Sequence, residues 1–166
     1  MKKIVIAAAL LLAGLAGRAQ DSLEPTQLGK WTRPAKTSIG AVDAYVDYCA
    51  GMYQESMDIR TQLESIEKVD TFAAANQALG AEGENELSQK KAAYQAVIDR
   101  ITKQQDAAAK LPEMVVAATN SLGSAGLKAI AGTKAMTSTK DVAVLIVKEN
   151  ASLLKVAQGK LAELAQ

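Results

Sequence analysis

Apolar and polar residues follow three different rhythms along this chain. Residues 4–15 form a nearly unbroken apolar run behind Lys2 and Lys3. Residues 20–37 keep no sustained period and carry Pro25, Gly29 and Pro34 among polar side chains. From Ser38 onward apolar residues recur every three to four positions, which places them on one face of a helix.

The third rhythm predicts three long helical arms, 38–79, 84–131 and 138–165. In the first, Val42, Tyr45, Cys49, Met52, Ser56, Ile59, Leu63 and Ile66 make a 4-3 seam of coiled-coil type. The seam lapses at Asp70, so a break or kink is expected near 70–71, and Gly80 stands where a C-terminal cap belongs. The second arm opens at Gly83-Glu84-Asn85, where acids suit the positive end of a helix dipole. It repeats the spacing through Leu87, Lys91, Tyr94, Ile98, Ile101, Gln105 and Ala108.

Pro112 either kinks this arm or opens a new helix at its first turn, so the bundle counts as three helices or four. Glu113, Val115, Ala118, Leu122, Ala129 and Ile130 continue the pattern, weakened by Gly123 and Gly126 at ~1 kcal/mol each relative to alanine. Residues 132–137 read as a loop. Ser138 with Asp141 resembles a capping box that opens the last helix. That helix buries Val142, Leu145, Ile146, Leu153, Val156, Ala157, Leu161 and Leu164. Its start, 142–147, would also suit a buried strand, but no other segment offers a partner strand. The predicted fold is all-α, an elongated antiparallel three-helix bundle over 38–166 with coiled-coil-like packing, in which an arm of about 40 residues would be ~60 Å long at ~1.5 Å per residue.

Composition agrees. Beyond Ser38 the only proline is Pro112, good helix formers dominate, and aromatics are 4% of the chain. Charge adds a polarity: residues 21–89 carry 5 basic and 12 acidic side chains, residues 90–166 carry 11 and 6. A chain folded back on itself brings these fields together, within a screening length of ~8–10 Å.

The first rhythm is an address. A basic start, a short apolar run, and Gly17 and Ala19 at the −3 and −1 positions describe a signal peptide, 1–19, cut before Gln20. The run is short of the ~20 apolar residues that span a bilayer. Arg18 stands where a bacterial lipobox needs cysteine, so the expected product is soluble and periplasmic or extracellular, not a lipoprotein. Its loss removes Lys2, Lys3 and Arg18 and leaves 16 basic against 18 acidic residues, a balance that does not suggest nucleic acid. Residues 20–37 read as a flexible, extended or disordered leader.

Candidate chemistry is sparse. The chain has no histidine, hence no histidine base and no histidine metal ligand. It has no G-x-S-x-G elbow, no phosphate-cradling loop and no EF-hand. No catalytic residue, cofactor site or metal site is assigned. Asp43, Asp47 and Asp58, and the cluster Glu82, Glu84 and Glu86, are carboxylate groupings whose ordinary reading is a helix start and a solvated turn. Cys49, the only cysteine, is a core residue on the seam or an intermolecular disulfide across a dimer. Trp31, the only tryptophan, lies between Lys30 and Arg33 and would dock on a partner or fold back on the bundle.

The expected function is therefore non-enzymatic. The bundle would bind a protein partner or self-associate, through apolar stripes left open near Asp70, Pro112 and Gly123/Gly126. The alternative is a lipid-binding or membrane-active bundle. It would use the Gly/Ala-rich stretch 115–132 and the C-terminal helix with Lys140, Lys148, Lys155 and Lys160.

Overall fold

In the computed structural model, residues 23–26, 28–76 and 83–165 are described. The signal-peptide segment, Gly80 and Glu82 lie outside them. All regular structure among the described residues is helical: α1 (Gly40–Asn76), α2 (Gly83–Ala108), α3 (Leu111–Leu122) and α4 (Ala129–Glu163), with a 3-10 turn at Gly126–Lys128. The first half of residues 142–147 is thus α-helix and not strand, and so is the second.

α1 starts two residues later than its pattern suggests, because Ser38 holds φ 61° and cannot join a helix. Asp43, in the first turn, closes this end. One carboxylate oxygen accepts the Thr37 N–H at 2.7 Å and the Thr37 hydroxyl at 2.9 Å, and the other accepts the Ser38 N–H at 3.1 Å. Thr37 Oγ1 in turn accepts the Ile39 N–H at 3.2 Å. Side chains thereby satisfy donors that no helical carbonyl reaches.

The seam of α1 is buried nearly as written: Val42, Cys49, Ser56, Ile59 and Leu63 are 0% exposed, Tyr45 and Met52 nearly so, and Ile66 half-buried. The expected break at 70–71 does not occur; α1 runs unbroken to Asn76. Residues 66–76 contain neither glycine nor proline, so losing the apolar pattern changes a face without breaking the backbone.

α2 corrects the register. Its buried positions are Tyr94, Val97, Ile101 and Gln104, while Leu87 is exposed and Ile98 and Gln105 only half-buried. This helix packs on both α1 and α4, so the line between its two neighbours, not the strongest apolar spacing, selects the inward face. Tyr48 OH bonds Ala107 O at 2.9 Å, Gln104 Nε2 bonds Met52 O at 3.2 Å, and Arg100 Nε meets Glu55 at 2.8 Å. One number falls as the other rises, so α1 and α2 run in opposite directions. Ser56–Asn150 and the packing of Ile39 beside Gly132 rise together, so α4 runs parallel to α1.

Pro112 opens a new helix. It sits in the first turn of α3, where its missing N–H leaves no helical bond unmade. The arm indeed breaks at its glycines: α3 stops at Leu122, and Gly126 takes φ 55°, in the region glycine occupies without strain.

The clearest correction is the start of α4. Residues 132–137 are helix, not loop, and Ser138 lies nine residues inside α4 without capping it. Gly132 explains this: a Cβ there would lie 2.5 Å from Leu122 Cδ2 and 2.8 Å from Ile39 Cδ1. The missing side chain lets α3 and the start of α1 close on α4, and Ala135 and Met136 are buried alongside. Tertiary packing overrides a segment of weak helix propensity. Ile130, expected to continue the buried pattern, is instead 78% exposed.

Candidate functional site

The irregular leader is extended and lies along the bundle. Leu28 is buried against Met52, Val142 and Ile146. Arg60 Nη2 donates to Glu24 O at 2.6 Å, Tyr53 OH donates to Gly29 O at 2.9 Å, and Arg33 grips the Asp47 carboxylate. Trp31 folds back: its indole N–H reaches Ser138 Oγ at 3.3 Å, and its ring stands 5.6 Å from that of Tyr53. It remains half-buried.

Between leader and α4 this leaves an open groove of about 680 Å³. Leu28, Trp31, Val142 and Leu145 form its apolar wall; Lys30, Lys134 and Asp141 line its edge, with Thr137 and Ser138 between. Those three charged groups make no ion pair among the described residues. A second groove, about 550 Å³, lies between α1 and α2 beside Tyr48, Glu55, Arg100 and Gln104. Its polar groups are mostly engaged with one another, and the Glu55 hydrogen bond raises the Arg100 guanidinium further above its ordinary range, against the effect of burial.

Cys49 is buried on the seam, so the thiol is not presented to a second chain in this conformation. Burial pushes it up to about 11, against a hydrogen bond with Tyr45 that favours the thiolate. Burial likewise raises the Tyr45 phenol. A thiol held protonated is a poor nucleophile.

The carboxylate groupings do not converge. Asp43 caps α1; burial pushes its carboxyl up, but the Thr37 and Ser38 hydrogen bonds, with Lys36 nearby, leave it below the ordinary range. Asp47 holds Arg33, and Asp58 accepts from Gln54 at 2.9 Å. Glu86 faces Lys90 at 3.7 Å. Among the described residues no group of three or more carboxylates and cysteine could hold a metal ion. On α4, Lys140 and Lys148 are exposed, Lys155 half-buried, and Lys160 meets Glu163 at 3.2 Å. No helix among the described residues is long and apolar enough to cross a membrane.

A polar layer inside the bundle escaped the sequence reading. Arg60 Nε donates to Glu149 Oε1 at 2.6 Å, with Arg60 8% and Glu149 3% exposed. Next to it Ser56 Oγ donates to Asn150 Oδ1 at 2.9 Å, both buried. Its signal was legible: Glu149 and Asn150 fall one turn from Ile146 and Leu153, on the apolar stripe of α4.

Comparison with protein-family models, curated proteins and solved structures finds no match. The class is defined by the structure alone: an all-helical protein in which α1, α2 and α4 pack against one another.

Proposed function

We propose that this protein is an exported, non-enzymatic bundle, elongated and antiparallel with coiled-coil-like packing, that acts by binding another macromolecule. The carrying observation is the groove beneath the leader. It pairs a half-buried tryptophan with Lys30, Lys134 and Asp141, exposed charged groups that form no ion pair among the described residues. An aromatic anchor beside exposed charge suits a segment of a protein partner: the ring supplies contact area and the charges supply orientation. The absence of histidine from the sequence supports a binding role over catalysis.

Site-directed photo-crosslinking in the native host tests this. A crosslinking side chain at position 134 or 141 is expected to trap a macromolecule, and one at Gln95, exposed on α2, to trap none. No adduct from either groove position sinks the reading. The export step has its own check: mass spectrometry of the mature chain is expected to find Gln20 at the N-terminus, and retention of residues 1–19 overturns it.

A further inference from the structure

The end of the molecule where α3 turns into α4 carries a second surface, which shares only Lys134 with the groove. Leu127 is 94% exposed and Ile130 78%, the two most exposed large aliphatic side chains described, with Val116 at 59% on the adjoining α3. Leaving such groups in water is costly, and exposed apolar patches on soluble domains mark contact sites. Here the turn is built to present them. Gly126, at φ 55°, reverses the chain one residue before Leu127. The backbone behind is fixed, because Gly132 seats α4 against Leu122 and Ile39.

Charge selects the occupant. Residues 114–140 contain Lys128, Lys134 and Lys140 and no acidic residue. All three lysines are exposed, and none forms an ion pair among the described residues. Lys128 sits between the two aliphatics, and Lys134 follows Ile130 by one turn, ~6 Å along the axis. Lys36 precedes Ile39 at the same end, while Asp43, in the first turn of α1, is committed to its cap. A second copy of the tip would set lysines against lysines. Two aliphatics standing out of a cationic collar instead match an anionic bilayer, where the chains enter the acyl boundary and the lysines stay among the headgroups.

We propose that the Leu127–Ile130 tip docks the folded protein on anionic lipid surfaces by shallow insertion, with the bundle intact. In this mode the Gly/Ala-rich arm stays closed, with Ala118, Gly132 and Ala135 buried in the core behind the tip.

Flotation of the mature chain, residues 20–166, tests this with phosphatidylglycerol–phosphatidylcholine vesicles and with phosphatidylcholine alone, at low salt. Binding is expected on the anionic vesicles only, with an unchanged helical circular dichroism spectrum. Leu127→Ser with Ile130→Ser, both at exposed positions, is expected to lower the partition by roughly tenfold or more. Lys128→Glu with Lys134→Glu is expected to abolish it. Absence of binding to anionic vesicles overturns the proposal, as does binding that survives the double serine change, which would be adsorption through other lysines. A concentration-dependent dimer by light scattering that the serine changes dissolve would assign the tip to a second copy and overturn it too. Crosslinks from position 141 are expected to survive the serine changes, so failure here is distinct from failure of the groove.

Discussion

The middle of this bundle and its α3 end solve the same packing problem with different materials. In the middle, Ile59, Leu63, Tyr94, Ile101 and Leu153 fill the space between α1, α2 and α4, and all are fully buried. At the α3 end Ile39, Val42, Tyr45 and Met136 are buried too, but Ala118, Ala135 and Gly132 let helices approach closely, with Leu122 and Met114 only half-buried around them. Large side chains bury more apolar area each; small ones tolerate almost no added atom. The contrast separates helix contacts filled by large side chains from the closer approach that Gly132 allows beside Leu122 and Ile39.

The largest expected effect sits between the two regions. Arg60→Met removes the guanidinium that donates to the buried Glu149 carboxylate and to Glu24 O, and is expected to cost about 3–5 kcal/mol in urea unfolding. Adding Glu149→Leu should restore much of that loss; a double variant as unstable as the single would break the assignment. Next, Leu63→Ala in the middle should cost about 3 kcal/mol and Leu122→Ala at the α3 end about half as much, because its side chain is already half in water. Equal losses would erase the contrast.

Two glycines sharpen it. Gly51 is exposed on α1 with nothing within 4 Å of an added Cβ, so Gly51→Ala should stabilise by up to ~1 kcal/mol. Gly132→Ala gains the same propensity but drives a methyl into Leu122 and Ile39, and a net loss of about 1 kcal/mol is expected. Thermal melts of the pair should move in opposite directions.

The smallest effects are titrations. Asp43 has its folded pKa lowered, so its contribution is present above the ordinary carboxylate range and lost as pH falls through the folded value. Asp43→Asn should flatten that acid limb and lower the melting temperature at neutral pH. Cys49 behaves oppositely: raised from 9.0 to about 11, it stabilises below pH 9 and loses that contribution as pH climbs toward 11. Its alkylation at pH 8 should follow global unfolding in urea, and fast labelling of the folded protein would place the thiol elsewhere.

The middle was largely legible in the sequence and the α3 end was not. The seam from Val42 to Leu63 could be read because large apolar residues repeat with one period. Val97 and Gln104 were missed because α2 faces two neighbours, which periodicity on one helix cannot report. Residues 132–137 resemble a loop by propensity; the close approach of Gly132 to Leu122 and Ile39, with Ala135 and Met136 buried alongside, favours helix. Leu28 is a lone leucine among polar residues, so its burial follows from α1 and α4 being assembled beneath it. The groove is invisible in the sequence for the same reason, although Trp31 in its wall stands out as the only tryptophan.

The parallel run of α1 and α4 has a consequence for how the molecule comes into being. The Arg60–Glu149, Ser56–Asn150 and Trp31–Ser138 contacts join residues 89, 94 and 107 positions apart. Each requires a long loop to close before any gain is returned, which slows the search relative to a bundle held by neighbours in sequence. Until the last helix is present, Leu28 lacks Val142 and Ile146, and the upper seam of α1 lacks Leu153 and Val156. The final quarter of the chain therefore acts as a keystone: everything synthesised earlier waits for it.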